Sequence, residues 1–449
     1  MAQIRFFLLV LLLALAGCAN VTPKAPPPPP YAAATMQAQA LAAGHAGLAG
    51  QARRDNADAI ERLLASLDDA TLARDAARLP VGDPLYNFAG RTLLRRGLPP
   101  PRGFDRGDGS FGAASRPPAA ADGYRPPLQV GVLLPLSGSQ AAAAAALRDG
   151  YLAGYYGESR RRPLLRFYDT AGGAKAALAR AAAEGNDFVV GPLGRDEVDA
   201  VFTGEPALPL LALNRGDRAP APGSAAFSLS PEDEGISLAQ YLIEDRGSKR
   251  VLLVAGSDDT QRRTADAARK QLESRGVKIV ARLGVSEQMD GALRQLAQAE
   301  APDAVLLVLK GPQARIVAPQ LALAGMAGLP RVAASQIVSG TGKAAEDAAL
   351  DGIVFPTEPW LVQRVDGLPS QASAAARVDT AKGPAARLFA FGLDAWRLTG
   401  YLEHLALANG GIVGATGRLR LDGFGNVLRR PGWTRFVGGE PVPLADGAR

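Results

Sequence analysis

The sequence predicts an α/β protein of two Rossmann-like lobes, preceded by a small α-helical segment. Three observations predict it: short apolar runs bounded by Gly or Pro, helical patterns between them, and a break that divides the series near residues 228–231. The runs lie at residues 130–134, 164–168, 188–190, 208–213, 251–255, 277–280 and 304–309. Apolar runs of this length, separated by helices, are typical of buried parallel strands in βαβ units, whose crossovers are right-handed.

The composition favours a large buried core and argues against nucleic acid or metal as a partner. The 449 residues are 47% hydrophobic, and the net charge of +6 arises from 50 basic and 44 acidic side chains mixed along the chain. No run of Lys or Arg alternates with aromatic residues, as a nucleic-acid groove would require. One cysteine and two histidines exclude an internal disulfide and a Cys/His zinc site, and no EF-hand spacing occurs. We therefore predict no metal and no cofactor.

The first eighteen residues have the pattern of an export signal. Arg5 precedes an apolar run at residues 6–15, and two small residues then precede Cys18. A charged start, a short apolar stretch and small residues before the cleavage point are typical of a secretory signal. The tetrapeptide Leu-Ala-Gly-Cys at residues 15–18 resembles the lipobox of bacterial lipoproteins. That resemblance implies that Cys18 becomes the lipidated first residue of the mature chain.

A lipid on Cys18 would hold the protein at a membrane. Each buried CH₂ of an acyl chain contributes about 0.8 kcal/mol to membrane binding. One chain gives only reversible binding, so three chains would anchor the protein stably. Ala19 follows Cys18, whereas the inner-membrane lipoproteins of enteric bacteria carry Asp there, so the resemblance implies the periplasmic face of the outer membrane. Residues 19–31 are rich in proline and predict an extended polyproline II linker.

Residues 32–97 predict a short helical segment of roughly three helices. Ile60, Leu63, Leu64 and Leu67 recur at helical spacing. The Asp-Pro pair at residues 83–84 predicts the start of another helix, and Gly97 predicts its end. Residues 98–127 are rich in Gly, Pro and Asp and contain few large apolar side chains. They predict a second linker, disordered in part.

The loops that follow the predicted strands supply a candidate inter-lobe cleft. In open α/β sheets a ligand lies beyond the carboxyl ends of the strands. The residues at these ends are Ser137, Gly138, Gly191, Pro192, Leu193 and Asn214. The Ser137 hydroxyl and the amides after it could bind an anionic group at a helix N-terminus. The alternative is that Pro, Ser and Gly only turn and cap the chain here.

Several motifs in a fixed order resemble a known family. They are Val-Gly-Val-Leu-Leu-Pro-Leu-Ser-Gly at 130–138, Arg-Asp-Gly at 148–150, Val-Val-Gly-Pro-Leu at 189–193, Phe-Gly-Leu-Asp-Ala-Trp-Arg-Leu at 391–398 and the tail at 414–437. The first unit resembles that of type I periplasmic binding proteins. The whole series is similar, more narrowly, to the LppC/LpoA group, outer-membrane lipoproteins that activate a class A penicillin-binding protein.

The resemblance implies a domain over residues 128–449 in which the chain crosses three times between the lobes. Lobe one would take residues 128–229 and 385–410, and lobe two residues 230–355 and 412–440. It also implies a regulator that binds a class A penicillin-binding protein, a peptidoglycan synthase, and stimulates it. One departure is the N-terminal segment, since better-known members carry a long domain of tetratricopeptide-like repeats where this chain has about sixty-five residues.

The sequence does not predict an enzyme. The acids at 258–259 and 232–234 precede helical runs, where they meet the positive end of the helix dipole. Ser137 lacks the Gly-x-Ser-x-Gly context of a nucleophile elbow, and residues 191–194 lack the Lys-Ser/Thr of a phosphate-binding loop. His404 lies in a helical run, where we expect it to be solvated or partly packed.

A periplasmic solute receptor of the branched-chain amino acid type is the alternative function. Receptors of this fold bind an amino acid between the lobes and use hydroxyls and loop amides for its carboxylate. Ser137 matches the first hydroxyl position, but Leu193, Gly194 and Asn214 stand where further hydroxyls would help. A small ligand in the cleft is therefore less favoured than the role of regulator.

Overall fold

Four helices, rather than the predicted three, form the N-terminal segment of the computed structural model. The structure describes residues 30–105, 111–112, 116–338, 343–407 and 410–444, so the signal, Cys18 and the proline-rich linker up to residue 29 lie outside it. The helices are α1 (Ala33–His45), α2 (Gly50–Ala65), α3 (Asp69–Arg78) and α4 (Tyr86–Arg95). The Asp68 side chain caps α3 by accepting from the Thr71 amide. Ile60 and Leu64 of the predicted stripe are buried.

The predicted linker at residues 98–127 is attached to the body in its described part, so the interpretation of that part as a linker was wrong. The Tyr124 ring is buried, and its hydroxyl donates to the Arg161 carbonyl at 3.0 Å. The Arg125 amide donates to the Gly400 carbonyl at 2.8 Å. Phe111 is also buried in the core of lobe one. Isolated aromatic anchors and long-range hydrogen bonds hold this segment, and neither produces a periodic pattern in the sequence.

Lobe one begins with alternating strands and helices at the predicted positions. Its elements are β1 (Gln129–Leu134), α5 (Ala141–Gly157), β2 (Leu164–Asp169), α6 (Ala174–Ala183), β3 (Phe188–Val190), α7 (Arg195–Val201), β4 (Leu210–Ala212) and β5 (Ala225–Phe227). All the pairs among these strands are parallel. The fold class predicted from the apolar runs is confirmed here.

Lobe two repeats the alternation after the Ser230 side chain caps its first helix. Its elements are α8 (Pro231–Gln240), β6 (Arg250–Ala255), α9 (Asp259–Ser274), β7 (Lys278–Leu283), α10 (Asp290–Ala299), β8 (Ala304–Val308), α11 (Gly311–Leu323), β9 (Arg331–Ala333), α12 (Ala344–Asp347) and β10 (Val354–Thr357). Strands β5, β9 and β10 were missed by the sequence analysis because they are short and contain Ala, Arg, Pro or Thr, so they form no continuous run of large apolar residues.

The last part of the chain returns to both lobes. It comprises α13 (Pro359–Val362), α14 (Gln371–Ala375), α15 (Ala386–Leu405), β11 (Ile412–Val413), β12 (Arg418–Leu421), β13 (Asn426–Arg430), β14 (Gly432–Val437) and β15 (Glu440–Pro443). The sheet of lobe one has the order β11-β12-β13-β5-β4-β3-β1-β2, and that of lobe two β15-β14-β10-β9-β8-β6-β7. The chain thus crosses between the lobes three times: after β5, after β10 and between β13 and β14.

The assignment of the whole tail, residues 412–440, to lobe two was wrong. Strand β13 pairs in parallel with β5, with Val427 opposite Phe227, so β11 to β13 extend the sheet of lobe one. Only β14 and β15 join lobe two, where Phe436 packs on Phe355 with ring centroids 4.8 Å apart. Buried Leu419 and Val427 complete the core of lobe one, which explains why these strands remain there.

Helices α5 and α15 pack closely on one face of lobe one. A Cβ atom on Gly150 would lie 2.0 Å from the Phe389 carbonyl oxygen, and one on Gly392 would lie 2.1 Å from the Leu147 carbonyl oxygen. Glycine at both positions therefore lets the two backbones approach each other. Two of the motifs noted in the sequence, Arg-Asp-Gly and Phe-Gly-Leu-Asp, meet at this contact.

Candidate functional site

The six residues predicted to line a cleft lie at the carboxyl edge of the lobe one sheet. Strands β4, β3 and β1 are neighbours in that sheet, so the loops that follow them share one edge. Gly191 has a φ of +109°, and a Cβ atom on it would lie 2.1 Å from the Leu133 carbonyl oxygen. Only glycine fits where this loop passes the end of β1.

Ser137 is engaged by a carboxylate of the same lobe. Its hydroxyl donates to Asp169 Oδ2 at 2.6 Å, while the Leu136 and Ala171 amides donate to Asp169 Oδ1 at 3.0 Å each. The hydrogen bond from Ser137, followed by those from the backbone amides, lowers the pKa of Asp169 below its usual value. An ionised Asp169 therefore stands where the carboxylate of an amino acid would have to approach Ser137. Sequence analysis missed Asp169, although an acid directly after the apolar run at residues 164–168 was the available signal.

Asn214 is used to hold its own loop. Its side-chain nitrogen donates to the Leu193 carbonyl at 3.0 Å, and its oxygen accepts from the Arg215 amide at 2.9 Å. The Leu213 amide donates to the Pro192 carbonyl at 2.9 Å. Gly138, with a φ of +81°, has open space around its Cα. These contacts match the turn-forming interpretation of the loops, and a cleft ligand stays a prediction.

A buried charge network joins the lobes beside the crossings. Arg387, at the start of α15 in lobe one, donates through Nε to Glu358 Oε1 at 2.8 Å, and Glu358 follows β10 of lobe two. Arg429 of β13 lies 3.7 Å from the same oxygen, and Arg387 also lies 3.7 Å from Glu234 Oε2 of α8. Burial disfavours an ionised Glu358, but the guanidinium groups of Arg387 and Arg429 lower its pKa below the usual value. The network therefore clamps the two lobes through the buried Glu358 carboxylate and its two arginine partners.

The sequence contained only part of the signal for this network. The acids at 232–234 lie in the first turn of α8, as predicted. Glu232 pairs with Arg263 on the surface, whereas Asp233 pairs with Arg215 of lobe one at 2.5 Å. The Glu234 side chain is buried and accepts from the Ser335 amide at 2.5 Å. A pattern of three consecutive acids cannot distinguish the acid that pairs on the surface from the two whose carboxylates are largely buried.

Asp394 anchors the returning helix α15 to the tail. It is fully buried and accepts from the Ala415 amide at 2.5 Å, the Thr416 amide at 2.7 Å and the Thr416 hydroxyl at 2.6 Å. Burial raises the pKa of Asp394 to about 6, against the effect of these donors. The Trp360 amide in turn donates to the Ala415 carbonyl at 3.0 Å. The Asp394 carboxylate therefore organises the loop that leads into β12.

Two large pockets lie away from the predicted cleft residues. One pocket, of about 940 Å³, lies between the N-terminal helices and lobe one. The other, of about 820 Å³, lies between the C-terminal half of α15 and the chain segment that joins β13 to β14. His404 lines the second pocket and is half-buried. Across the residues that the structure describes, no group of three His, Cys, Asp or Glu side chains could hold a metal ion, and no helix is long and apolar enough to cross a membrane.

The two lobes, their parallel-rich sheets and the three crossings define the class: an α/β protein with the type I periplasmic binding protein fold. The family described as "LppC putative lipoprotein" matches residues 123–299 and 282–439. The chain belongs to that family, as the motif series predicted.

Curated relatives carry a functional name. The penicillin-binding protein activator LpoA of Photobacterium profundum is 27% identical over 362 residues, which cover 71% of this chain and 57% of that protein. The protein of the same name from Dickeya chrysanthemi is 27% identical over 325 residues, covering 63% of this chain and 47% of that protein. The chain spans about half the length of these relatives.

Solved structures share the fold. Full-length LpoA from Haemophilus influenzae superposes with a TM-score of 0.62 at 20% identity, over 92% of this chain and 78% of that one. Its C-domain superposes with a TM-score of 0.60 at 22% identity, over 71% of this chain and all of that domain. A "putative branched-chain amino acid ABC transporter" from Chromobacterium violaceum gives a TM-score of 0.56 at 27% identity, over 69% of this chain and 99% of that one.

Proposed function

We propose that this protein is an outer-membrane lipoprotein, anchored through Cys18 and facing the periplasm, that binds and activates a class A penicillin-binding protein. Membership of the LppC family carries the proposal, because the match spans both lobes and every crossing between them. The curated relatives named penicillin-binding protein activators support the same role. Residues 19–29 would act as the spacer from the membrane.

Activation of a synthase needs a difference in affinity between its two states. An activator must bind the active conformer better than the inactive one, typically by about 1–3 kcal/mol or about 5–150-fold. The buried pair of Arg387 and Glu358 supports a rigid activator, since a charge network between the lobes opposes their separation. The docking surface would then lie on the exterior of a lobe rather than in the cleft, and the protein itself would catalyse no reaction.

A solute receptor is the second candidate function. The likeness to the branched-chain amino acid transporter protein favours it. The hydrogen bond from Ser137 to Asp169 argues against a receptor. The Ser137 hydroxyl, which would donate to the ligand carboxylate, already donates to the negatively charged Asp169. A receptor would show a rise in Tm with leucine or a related amino acid, since a ligand that binds only the folded state stabilises it.

Turnover of the synthase tests the proposal. The soluble form, residues 32–449, would be added to each class A synthase of the organism, and glycan polymerisation and peptide cross-linking would be measured. We expect stimulation of at least one synthase. The double variant Ser137→Ala/Asn214→Ala, folded by circular dichroism, should activate nearly as well as wild type.

Two results would contradict the proposal. An absence of stimulation with every class A synthase, combined with a Tm rise of several degrees with an amino acid, would favour the receptor. Loss of activation in the folded double variant would mean that the cleft is the working site.

A further inference from the structure

The larger pocket is an arginine-lined groove between the N-terminal helices and lobe one. Arg53 and Arg54 of α2 and Arg95 of α4 stand on the helical side, and Arg215 and Arg218, in the loop after β4, stand on the side of lobe one. We call this pocket the arginine groove. Its volume of about 940 Å³ is in the range of sites that bind small molecules or short peptides.

Part of the positive charge is already neutralised within the protein. Glu61 accepts from Arg95 at 3.0 Å and also pairs with Arg91 at the base of the groove, and Asp233 pairs with Arg215 at 2.5 Å. These arginines shape the walls but offer little free charge to a ligand.

Two arginines of the groove keep their charge for a ligand. Across the described ranges, the guanidinium groups of Arg53 and Arg218 form no hydrogen bond and no ion pair, and both residues are exposed. Arg54 donates to Gln51 Oε1 at 2.9 Å, and its contact of 3.9 Å to Asp217, with both side chains about half exposed, is a weak ion pair. Asp217 is held more closely by Arg195, at 2.7 Å. The rim therefore carries a free guanidinium group on each side, while Asp199, which also lines the groove, accepts from the Arg218 amide at 3.0 Å.

Two aromatic rings lie beside the Arg91 ion pair at the base of the groove. Phe88 and Phe424 contact edge to face with ring centroids 4.7 Å apart, and the Arg91 guanidinium lies 4.2 Å from the centre of the Phe424 ring. Phe202 and Leu428 extend this surface. His45 packs on Phe88, and its Nδ1 atom lies 3.0 Å from the Asn56 side-chain nitrogen. An amide nitrogen can only donate, so Nδ1 accepts and the ring proton is on Nε2.

From this geometry we infer that the arginine groove binds an extended acidic peptide segment. Carboxylates would meet Arg53 on one wall and Arg218 on the other, and apolar side chains of the peptide would lie on Phe424, which the buried Phe88 ring supports. A compact anion such as phosphate would use the guanidinium groups alone and leave the aromatic surface uncovered, so competition with phosphate distinguishes the two ligands. Arginine is suited to this role because its planar guanidinium group binds one carboxylate through two parallel hydrogen bonds.

Calorimetric titration of residues 32–449 tests the inference. The probe is the peptide Glu-Ala-Glu-Ala-Glu-Ala, compared with its neutral counterpart Gln-Ala-Gln-Ala-Gln-Ala. At low ionic strength we expect the acidic peptide to bind at least tenfold more tightly, and its affinity to fall as salt screens the exposed charges. The variant Arg53→Ala/Arg218→Ala should weaken binding about tenfold. Because both side chains lack partners, its melting temperature should match that of wild type.

Two further variants sharpen the test. Arg62→Ala removes an exposed arginine from the same helix α2 but outside the groove, and it should bind the acidic peptide like wild type. Asp217→Asn removes the carboxylate that competes for Arg54, and it should tighten binding a few-fold. Equal affinity for the two peptides, or unchanged binding by the double variant, would overturn the inference. Displacement of the acidic peptide by millimolar inorganic phosphate would identify a site for compact anions and overturn it as well.

Discussion

Arg387 donates to Glu358 at 2.8 Å across the boundary between the lobes, with the Glu358 side chain 3% exposed. Arg387 belongs to helix α15 of lobe one and Glu358 follows strand β10 of lobe two, so the pair spans the second crossing. A buried ion pair is costly to break from one side, because the remaining charge is left without a partner in a medium that solvates it poorly. The contact therefore makes the relative position of the lobes sensitive to single substitutions.

Replacing Glu358 by glutamine should lower the free energy of unfolding by about 3–5 kcal/mol, because the nearly buried Arg429 and the partly exposed Arg387 lose a shared counter-charge. Urea denaturation would measure the loss. Glu232→Gln is the matched control, since Glu232 pairs with Arg263 in a half-exposed position, and it should cost less than about 1 kcal/mol. Equal effects of the two substitutions would contradict a clamping role for Glu358.

Glu61 should make the stability depend on pH in the acid range. Burial opposes its ionisation, yet Arg91 and Arg95 bring the pKa of Glu61 down to about 2 from an ordinary 4.5. The folded state therefore binds fewer protons than the unfolded state in this window, and the stabilisation present above pH 4.5 is lost as the pH falls toward 2. The difference in unfolding free energy between wild type and Glu61→Gln should narrow by about 2 kcal/mol from pH 5 to pH 3. A difference that stays constant over that range would refute the assignment.

The contact of α5 with α15 should not tolerate a methyl group. Gly150→Ala would place its Cβ atom 2.0 Å from the Phe389 carbonyl oxygen, and moving two backbones apart should cost about 3 kcal/mol. Gly157→Ala, at the end of the same helix with nothing within 4 Å of the new atom, should stay within about 1 kcal/mol of wild type. Thermal melts of the two variants side by side measure the difference. Similar melting temperatures would show that the helices can separate at little cost.

The proposed lipid anchor is tested by replacing Cys18 with serine. Without acyl chains the protein loses the source of its membrane affinity, so the variant should move from the outer-membrane fraction to the periplasmic fraction or accumulate uncleaved. Cell fractionation with immunoblotting checks this, and Ala19→Ser serves as a neighbouring control that should stay with the membrane. Retention of the Cys18→Ser protein in the outer membrane at the wild-type level would rule out the anchor.

The two-lobed fold could be predicted from the sequence because its signals are local. Seven apolar runs bounded by Gly and Pro matched seven strands, and the break near residues 228–231 marked the start of lobe two. Buried parallel strands carry apolar residues on both faces, so they appear as continuous runs without any knowledge of their partners. The motifs at residues 130–138 and 391–398 likewise identified the family.

Only the tertiary structure decided which residues meet across the chain. The pairing of β13 with β5, the burial of Tyr124 against residues near Arg161, and the network of Glu358 with Arg387 and Arg429 each join segments that are distant in sequence. Such contacts depend on side-chain chemistry at two sites at once, and a single sequence records neither the distance nor the partner. The same reason explains why the role of Ser137 could not be predicted. Its residue type indicated a hydrogen-bond donor to a cleft ligand, but in the structure it donates to Asp169 of the same lobe.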